Sequence, residues 1–310
     1  DAARSLPEDK TWAAHTVRLH ETWVSQLRRR GDHPLAMRET RKLLDRPAAD
    51  PELRRRVGDS WLRTLRQLHR DGNLQVASST GIEALQSFGK RQDLRDFVSD
   101  VVTLRIDELR EVGRIANALE LGEFARRRLH NDKQIGQRLA TLRELLVDEY
   151  GSRQKWSLAL DQAKILARIY RHDLPMQARV ASRFRPRLLE LHASGDLPAA
   201  AQLGEQLRVM YPQQKALLED IGDVNVDWME RLRDEGKWQQ SLVIGERLQE
   251  RFPPNALRTR RVSAVFEARF EELREKEKWT EALQLAERAT KTFSKIPSWP
   301  QKLADIAGSV

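Results

Sequence analysis

One spacing constrains this chain more than any other property. Residues 236–253, GKWQQSLVIGERLQERFP, return 41 positions later as EKWTEALQLAERATKTFS at 277–294. Steps of 41 residues from Gly236 reach Gly31, Gly72, Gly113, Gln154, Gly195 and Glu277. Glycine is the residue that most readily turns a corner after a helix, and it dominates these anchors. Four residues before each anchor stand Leu27, Leu68, Leu109, Tyr150, Leu191, Leu232 and Leu273. Seven before stand Val24, Leu65, Ile106, Val147, Leu188, Met229 and Phe270. Neither column contains a charged residue. A fixed period of this length means a repeat architecture, in which each unit buries its apolar face against its neighbours.

The downstream side keeps the same register. The second position after the anchor reads His33, Leu74, Ile115, Trp156, Leu197, Trp238, Trp279. The fifth is small throughout: Ala36, Ala77, Ala118, Ala159, Ala200, Ser241, Ala282. The ninth is also small: Thr40, Gly81, Gly122, Ala163, Gly204, Gly245, Ala286. The sixteenth reads Pro47, Phe88, Leu129, Tyr170, Tyr211, Phe252, Phe293. Apolar columns at −15, −11 or −12, −7 and −4 trace one face of a long helix A. Columns at +5, +9, +12 and +16 trace a shorter helix B, ended by an aromatic residue and often by proline, as at Pro212 and Pro253. A small residue at +9 lets helix B approach its neighbour closely. The recurrent Trp and Tyr are expected in the core.

The expected fold is therefore all-α: a right-handed α-solenoid of seven stacked helical hairpins plus a partial eighth, read as a single domain over 1–310. The units run at about 12–52, 53–93, 94–134, 135–175, 176–216, 217–257 and 258–298. The partial unit, 299–310, opens at Trp299, in the column of Trp12, Leu53, Leu94, Ile135, Met176 and Leu217. A repeat cut within its first helix, and an N-terminus (DAARSLPEDK) that reads as a processed edge, are what a segment of a longer protein would show. Pro186 falls inside the helix A of the fifth unit and is expected to kink it.

Helix B resembles the tetratricopeptide repeat. Gly236-x-Trp238-x-x-Ser241 with Leu248 and Pro253 falls at that family's Gly-x-Tyr-x-x-Ala…Ala…Pro spacing. Glu277-x-Trp279-x-x-Ala282 with Ala289, and Gly195-x-Leu197-x-x-Ala200 with Pro212, match similarly. The resemblance covers the chain from about Trp12. The chain departs from it in two ways. The family unit is 34 residues long, and it places small and large residues the other way round at −7 and +9. The seven extra residues fall before helix A, as in KALLEDI at 215–221. Seven residues are almost two turns, so helix A should reach roughly 20 residues, or ~30 Å, with its buried face still in phase.

Few classes of chemistry have a foothold. There is no Gly-rich phosphate loop, HExxH, GxSxG or EF-hand pattern, and the chain contains no cysteine. No cofactor and no metal are expected. The seven histidines are scattered, and His69 and His192 share a column three units apart. Asp107–Arg110, Glu230–Arg233 and Glu271–Arg274 read as (i, i+3) pairs that stabilise helices. The Arg30-Gly31-Asp32 triplet sits at a repeat turn. No apolar run is long enough to cross a membrane, and nothing sets the compartment, since cytosolic and periplasmic proteins alike can lack cysteine.

The resemblance places the −3 column on the inner face of helix A: Arg28, His69, Arg110, Gly151, His192, Arg233, Arg274. A ladder of cations there would suit acidic peptides or phosphates. Acids at −6 (Asp107, Asp148, Glu230, Glu271) offset much of it in the later units. The earlier units are less balanced, with Arg28–Arg30, Arg54–Arg56, Arg63, Arg66 and Arg70 contributing to a net charge of +9. The leading expectation is a non-catalytic scaffold that binds a protein or peptide, an acidic one being an option, as the sensor or interaction arm of a larger protein; the −3 column itself reads first as a solvated, salt-bridged face. The alternatives are RNA or DNA binding through the Arg-rich half, and the recognition arm of an enzyme. Self-association through solenoid ends is a further expectation.

Overall fold

A computed structural model describes residues 10–46, 50–130, 132–294, 296 and 298–307. Pro47 and the side chain of Trp12 lie outside the described residues. Among the described residues there are fifteen helices and no strand. The helices of the A type are α1 (Lys10–Arg29), α3 (Pro51–Arg70), α5 (Gln92–Glu111), α7 (Lys133–Ser152), α9 (Leu174–Ala193), α11 (Lys215–Asp234) and α13 (Ala256–Glu275). Each is 20 residues long and each starts 41 residues after the last. The B helices are α2 (His33–Leu44), α4 (Leu74–Phe88), α6 (Ile115–Arg126), α8 (Trp156–Ile169), α10 (Leu197–Met210), α12 (Trp238–Arg251) and α14 (Trp279–Thr292). The described part of an eighth A helix is α15 (Ser298–Ala307). The seven-residue insertion is helical: KALLEDI forms the first two turns of α11.

Each A helix ends by the same device. The anchor N–H donates to the carbonyl three residues back, and the next N–H donates to the carbonyl five back. In the first hairpin these bonds are Gly31 to Arg28 and Asp32 to Leu27, both 3.0 Å. The pair recurs at all seven anchors and constitutes a Schellman turn, which requires a left-handed residue at the anchor. The five glycines supply φ between +73° and +79°. Gln154 (φ 58°) and Glu277 (φ 56°) are driven to the same region without that freedom. Asp32, Asn73 and Asp196 follow the anchor directly and cap the B helix with a side-chain oxygen. The Arg-Gly-Asp triplet is thus a helix stop followed by a helix start.

Packing divides the chain into two compact units, Asp1–Leu146 and Val147–Val310. In the first, the +9 glycines receive the −15 residue of the following A helix. A Cβ on Gly81 would lie 2.9 Å from Val98 Cγ2, and one on Gly122 would lie 2.7 Å from Leu139 Cδ2. The polar member of the column, Thr40, is fully buried but satisfied. Its hydroxyl donates to Ala36 O at 2.8 Å and accepts from Trp61 Nε1 at 3.0 Å. Around these contacts Leu53, Leu65, Ile82, Leu94, Ile106 and Ile135 form one continuous core.

The second unit repeats the rule. Gly204 would meet Ile221 Cγ2 at 2.8 Å and Gly245 would meet Val262 Cγ1 at 2.9 Å. Ser241, alone at +5 in not being alanine, donates to Met229 O at 2.8 Å. Trp299 is fully buried, stacked on Phe293 and edge-on to Phe266 and Phe270, so α15 covers the last hairpin of this unit. The column of Leu53 and Leu217 holds Arg258 in the seventh repeat. Arg258 is nonetheless buried, its guanidinium over the Phe252 ring and in the space left by Gly222, where a Cβ would come within 2.3 Å.

Helix α9 continues through Pro186 over its full 20 residues. Pro186 is exposed, and so is Ser182 one turn earlier, so water can serve the carbonyl that loses its donor. One expectation needs correction: the Trp residues at +2 are not core, since Trp156 and Trp238 are half-buried and Trp279 is exposed. Position +2 is the first residue of each B helix, at the corner, where a neighbour covers only one ring face. Arg187 lies over Trp156 at 6.0 Å and Arg269 over Trp238 at 5.4 Å, each from the next repeat's A helix.

Candidate functional site

The six cations of the −3 column have different surroundings. In the first unit Arg110 is 3.4 Å from Asp107, and that carboxylate also accepts from Arg138 at 2.9 Å. His69 lies edge-on to Phe97 at 6.0 Å and forms no ion pair with a carboxylate among the described residues. In the second unit His192 Nε2 is 2.6 Å from Asp227, Arg233 pairs with its neighbour Asp234, and Arg274 pairs with Glu271 at 2.8 Å. Glu230 does not pair with Arg233. It is taken by Arg261, whose guanidinium spans Glu230 and Asp227 and is held more strongly charged than an ordinary arginine by both.

A cross-repeat rule lies behind this. An acid at −6 accepts from a base at −16 of the next repeat, as in Asp107–Arg138, Glu230–Arg261 and Glu271–Lys302, each 31 residues apart. The −16 column was not singled out from the sequence. A scan for opposite charges 31 apart would have found it.

Arg28 is the exception. The third, fourth, sixth and seventh rungs carry Asp or Glu at −6, whereas the first carries Ser25, the second Arg66 and the fifth Leu189. The Arg28 guanidinium lies over the buried Trp61 ring at 5.2 Å. Its Nη2 donates to Ser25 Oγ at 3.2 Å, and its Nη1 is 3.5 Å from Thr64 Oγ1. Its Nε is buried with no hydrogen-bond partner among the described residues. Burial, and then the charge of Arg63, pull its pKa below the usual arginine value. Beside it opens a pocket of about 690 Å³ between the first two hairpins, lined by Ser25, Arg28, Arg29, Ser60, Arg63 and Thr64, with His33 and Asp71 at its edge. Desolvation, and then the neighbouring Arg28, depress the His33 pKa, which favours neutral imidazole. Asp71 accepts from Gln67 at 2.8 Å rather than from an arginine. The pocket therefore carries three guanidinium charges against one carboxylate.

Arg28 is the one predicted groove cation that belongs to this pocket. Ser25, Ser60, Arg63 and Thr64 were not predicted as its companions. The available signal was the absence of an acid at both of the first two −6 positions, Ser25 and Arg66. Among the described residues no group of three or more His, Asp or Glu could hold a metal, and no helix is long and apolar enough to cross a membrane.

The hairpins themselves are tetratricopeptide-like. No protein-family model and no curated protein matches the chain. Solved structures similar to it include a circular tandem repeat protein with a novel repeat topology. It is 16% identical with a TM-score of 0.35, over 99% of this chain and 92% of that one. The tetratricopeptide domain of P58(IPK) is 14% identical with a TM-score of 0.28, over 94% and 97%. The TPR2AB domain of yeast Sti1, solved with pHSP90, is 11% identical with a TM-score of 0.25, over 95% and 99%. These likenesses are too distant to bear on partner or activity.

Proposed function

We propose that this protein is a non-catalytic helical-repeat scaffold that binds a protein or peptide segment along its A helices. One observation carries the reading. The buried columns of each hairpin are consumed by its neighbours, yet the −9 column of the first unit stays exposed and carries Arg63 on α3, Leu104 on α5 and Leu145 on α7. Leu104 is 46% and Leu145 39% exposed. Single exposed leucines are ordinary, but two at one register on successive long helices make a contact surface. The segment that suits it is extended, with apolar side chains for the leucines and an acidic group towards Arg63.

Selection from a random peptide phage library tests this. Binders should be enriched on the native protein and lost on Leu104→Asp/Leu145→Asp. They should be retained on a variant of the exposed B-helix residue Val209→Asp. Failure to enrich any peptide, or equal binding to both variants, would refute the reading.

A second reading, nucleic-acid binding, is favoured by Arg29, Arg30, Arg63, Arg66 and Arg70, which have no carboxylate partner among the described residues. It requires an RNA or DNA affinity that falls steeply with salt. A flat salt titration would eliminate it.

A further inference from the structure

The structure assigns a phosphate-monoester site to the pocket between the first two hairpins, with the phosphoryl group carried on a side chain of the bound peptide. This inference rests on the peptide-scaffold reading and names the group that its basic end recognises.

The first argument is charge. At the third, sixth and seventh rungs the cation or its neighbours are matched internally: Arg110 by Asp107, Arg274 by Glu271, and Arg261 by Glu230 and Asp227. At the first rung Ser25 replaces the acid, and Arg28, Arg29 and Arg63 converge with no ion pair to any described residue. With Asp71 deducted and His33 neutral, the lining itself bears two positive charges; Glu21, outside the lining, also acts on Arg28 but is paired with Arg56 at 3.2 Å. A monoester of phosphoric acid carries about −1.5 to −2 near neutral pH. A carboxylate carries half that, so charge balance selects the phosphoryl group.

The second argument is donor geometry. The Arg28 guanidinium carbon lies over the Trp61 ring, 5.2 Å from its centroid, so the buried indole helps to position it before any ligand arrives. Its hydrogen bonds to Ser25 and Thr64 are long, 3.2 and 3.5 Å, and go to neutral hydroxyls, so phosphoryl oxygens would supply stronger, charge-assisted partners. Thr64 Oγ1 already donates to Ser60 O at 3.0 Å, so of the two hydroxyls Ser25 is the one that can donate to the same group. The third argument is size. The depression, about 690 Å³ and open to solvent, has more room than a lone ion fills and admits a side chain with its flanking backbone. The exposed Arg63, Leu104 and Leu145 give that flanking chain a path within the same unit.

The test uses the full chain and four probes: capped phosphothreonine, capped threonine, inorganic phosphate and an oligouridylate. Binding is read from the Arg Nε–Hε resonances and from titration calorimetry. Capped phosphothreonine should shift the Arg28 Nε–Hε signal and bind at least tenfold tighter than capped threonine. Arg63→Gln, an exposed position that should leave the fold intact, should weaken it at least fivefold. Arg274→Gln, at a neutralised rung, should change it less than twofold. Equal binding of the two capped amino acids, or equal loss in both variants, overturns the site. Inorganic phosphate binding as tightly as capped phosphothreonine assigns the pocket to a free ion and overturns the peptide assignment. Oligouridylate displacing the probe at equal phosphate concentration overturns it in favour of nucleic acid. If the site fails while phage-selected peptides still bind through Leu104 and Leu145, the scaffold reading survives alone.

Discussion

Replacing Glu277 by glycine should stabilise this protein, although it removes a side chain and adds backbone freedom. Glu277 is held at φ 56° by the Schellman turn at the end of α13. A non-glycine residue pays about 1–2 kcal/mol to stand in the left-handed region. Glycine returns about 0.4–1 kcal/mol of that through its looser unfolded chain. The net gain is about 0.5 kcal/mol from the backbone. A carboxylate at a helix C-terminus also opposes the macrodipole, which adds a few tenths. Glu277→Gln removes the charge and keeps the strain, so the difference between the two variants isolates the backbone part. The reverse exchange has an equally clear expectation. A Cβ on Gly236 would meet nothing within 4 Å, so Gly236→Ala carries backbone strain alone and should cost about 0.5–1 kcal/mol. A repeat array does not unfold as one block, so the readout should be local. Native-state hydrogen exchange at Lys278 N–H, bonded to Leu273 O at 2.9 Å, and at Lys237 N–H, bonded to Leu232 O at 2.8 Å, reports each turn directly. Protection at Lys278 should rise roughly twofold in Glu277→Gly beyond Glu277→Gln, on the scale of tenfold per 1.4 kcal/mol. Unchanged protection at Lys237 in Gly236→Ala, or a fall at Lys278 in Glu277→Gly, would mean that the turns are not strained as argued.

Other expectations follow from the packing and from the buried charges. Gly204→Ala places a Cβ 2.8 Å from Ile221 Cγ2 and should cost about 1–3 kcal/mol by overpacking; urea denaturation should show a loss larger than that of Gly236→Ala. Trp299→Ala empties the aromatic cluster of Phe266, Phe270 and Phe293 and should cost about 3–5 kcal/mol, with earlier exchange confined first to α13–α15. The buried His20–Glu39 pair, 3.2 Å apart in the first hairpin, should make that hairpin acid-sensitive. Burial depresses His20 below its usual value near 6.5, while the Lys42 and His20 hydrogen bonds depress Glu39. The unfolded chain therefore binds more protons at both sites, so stability is full above about pH 6.5 and is lost as pH falls. Amide exchange in α1 and α2 at pH 7 and pH 5 measures this; a pH-independent profile, or an equal slope in His20→Gln, would contradict it.

The legible part of this fold is the part set by neighbours a fixed distance apart in the chain. The anchors announce left-handed turns so consistently that Gln154 and Glu277 could be placed there by register alone. The seven-residue insertion was readable as helix because it preserved the phase of the buried face. The small column at +9 was readable as close approach, and the 2.7–2.9 Å clearances at Gly81, Gly122, Gly204 and Gly245 are that approach. Where the periodic rule was applied without regard to position in the hairpin, it misled. The +2 column alternates like core but sits at a corner, so Trp156, Trp238 and Trp279 keep one side open.

The candidate site was legible only in outline. A column of cations can be written down from the period, but whether each is neutral depends on side chains 31 to 36 residues away that meet across hairpins. Composition cannot separate Arg28 from Arg110, since both are arginines at the same register. A place over the Trp61 ring, Ser25 where Arg110 has Asp107, and the nearness of Arg63 make one a candidate ligand group and leave the other an internal ion pair. Backbone geometry is local and repeats with the sequence. Electrostatic balance is a property of particular contacts, and only the packed hairpins decide which charges meet.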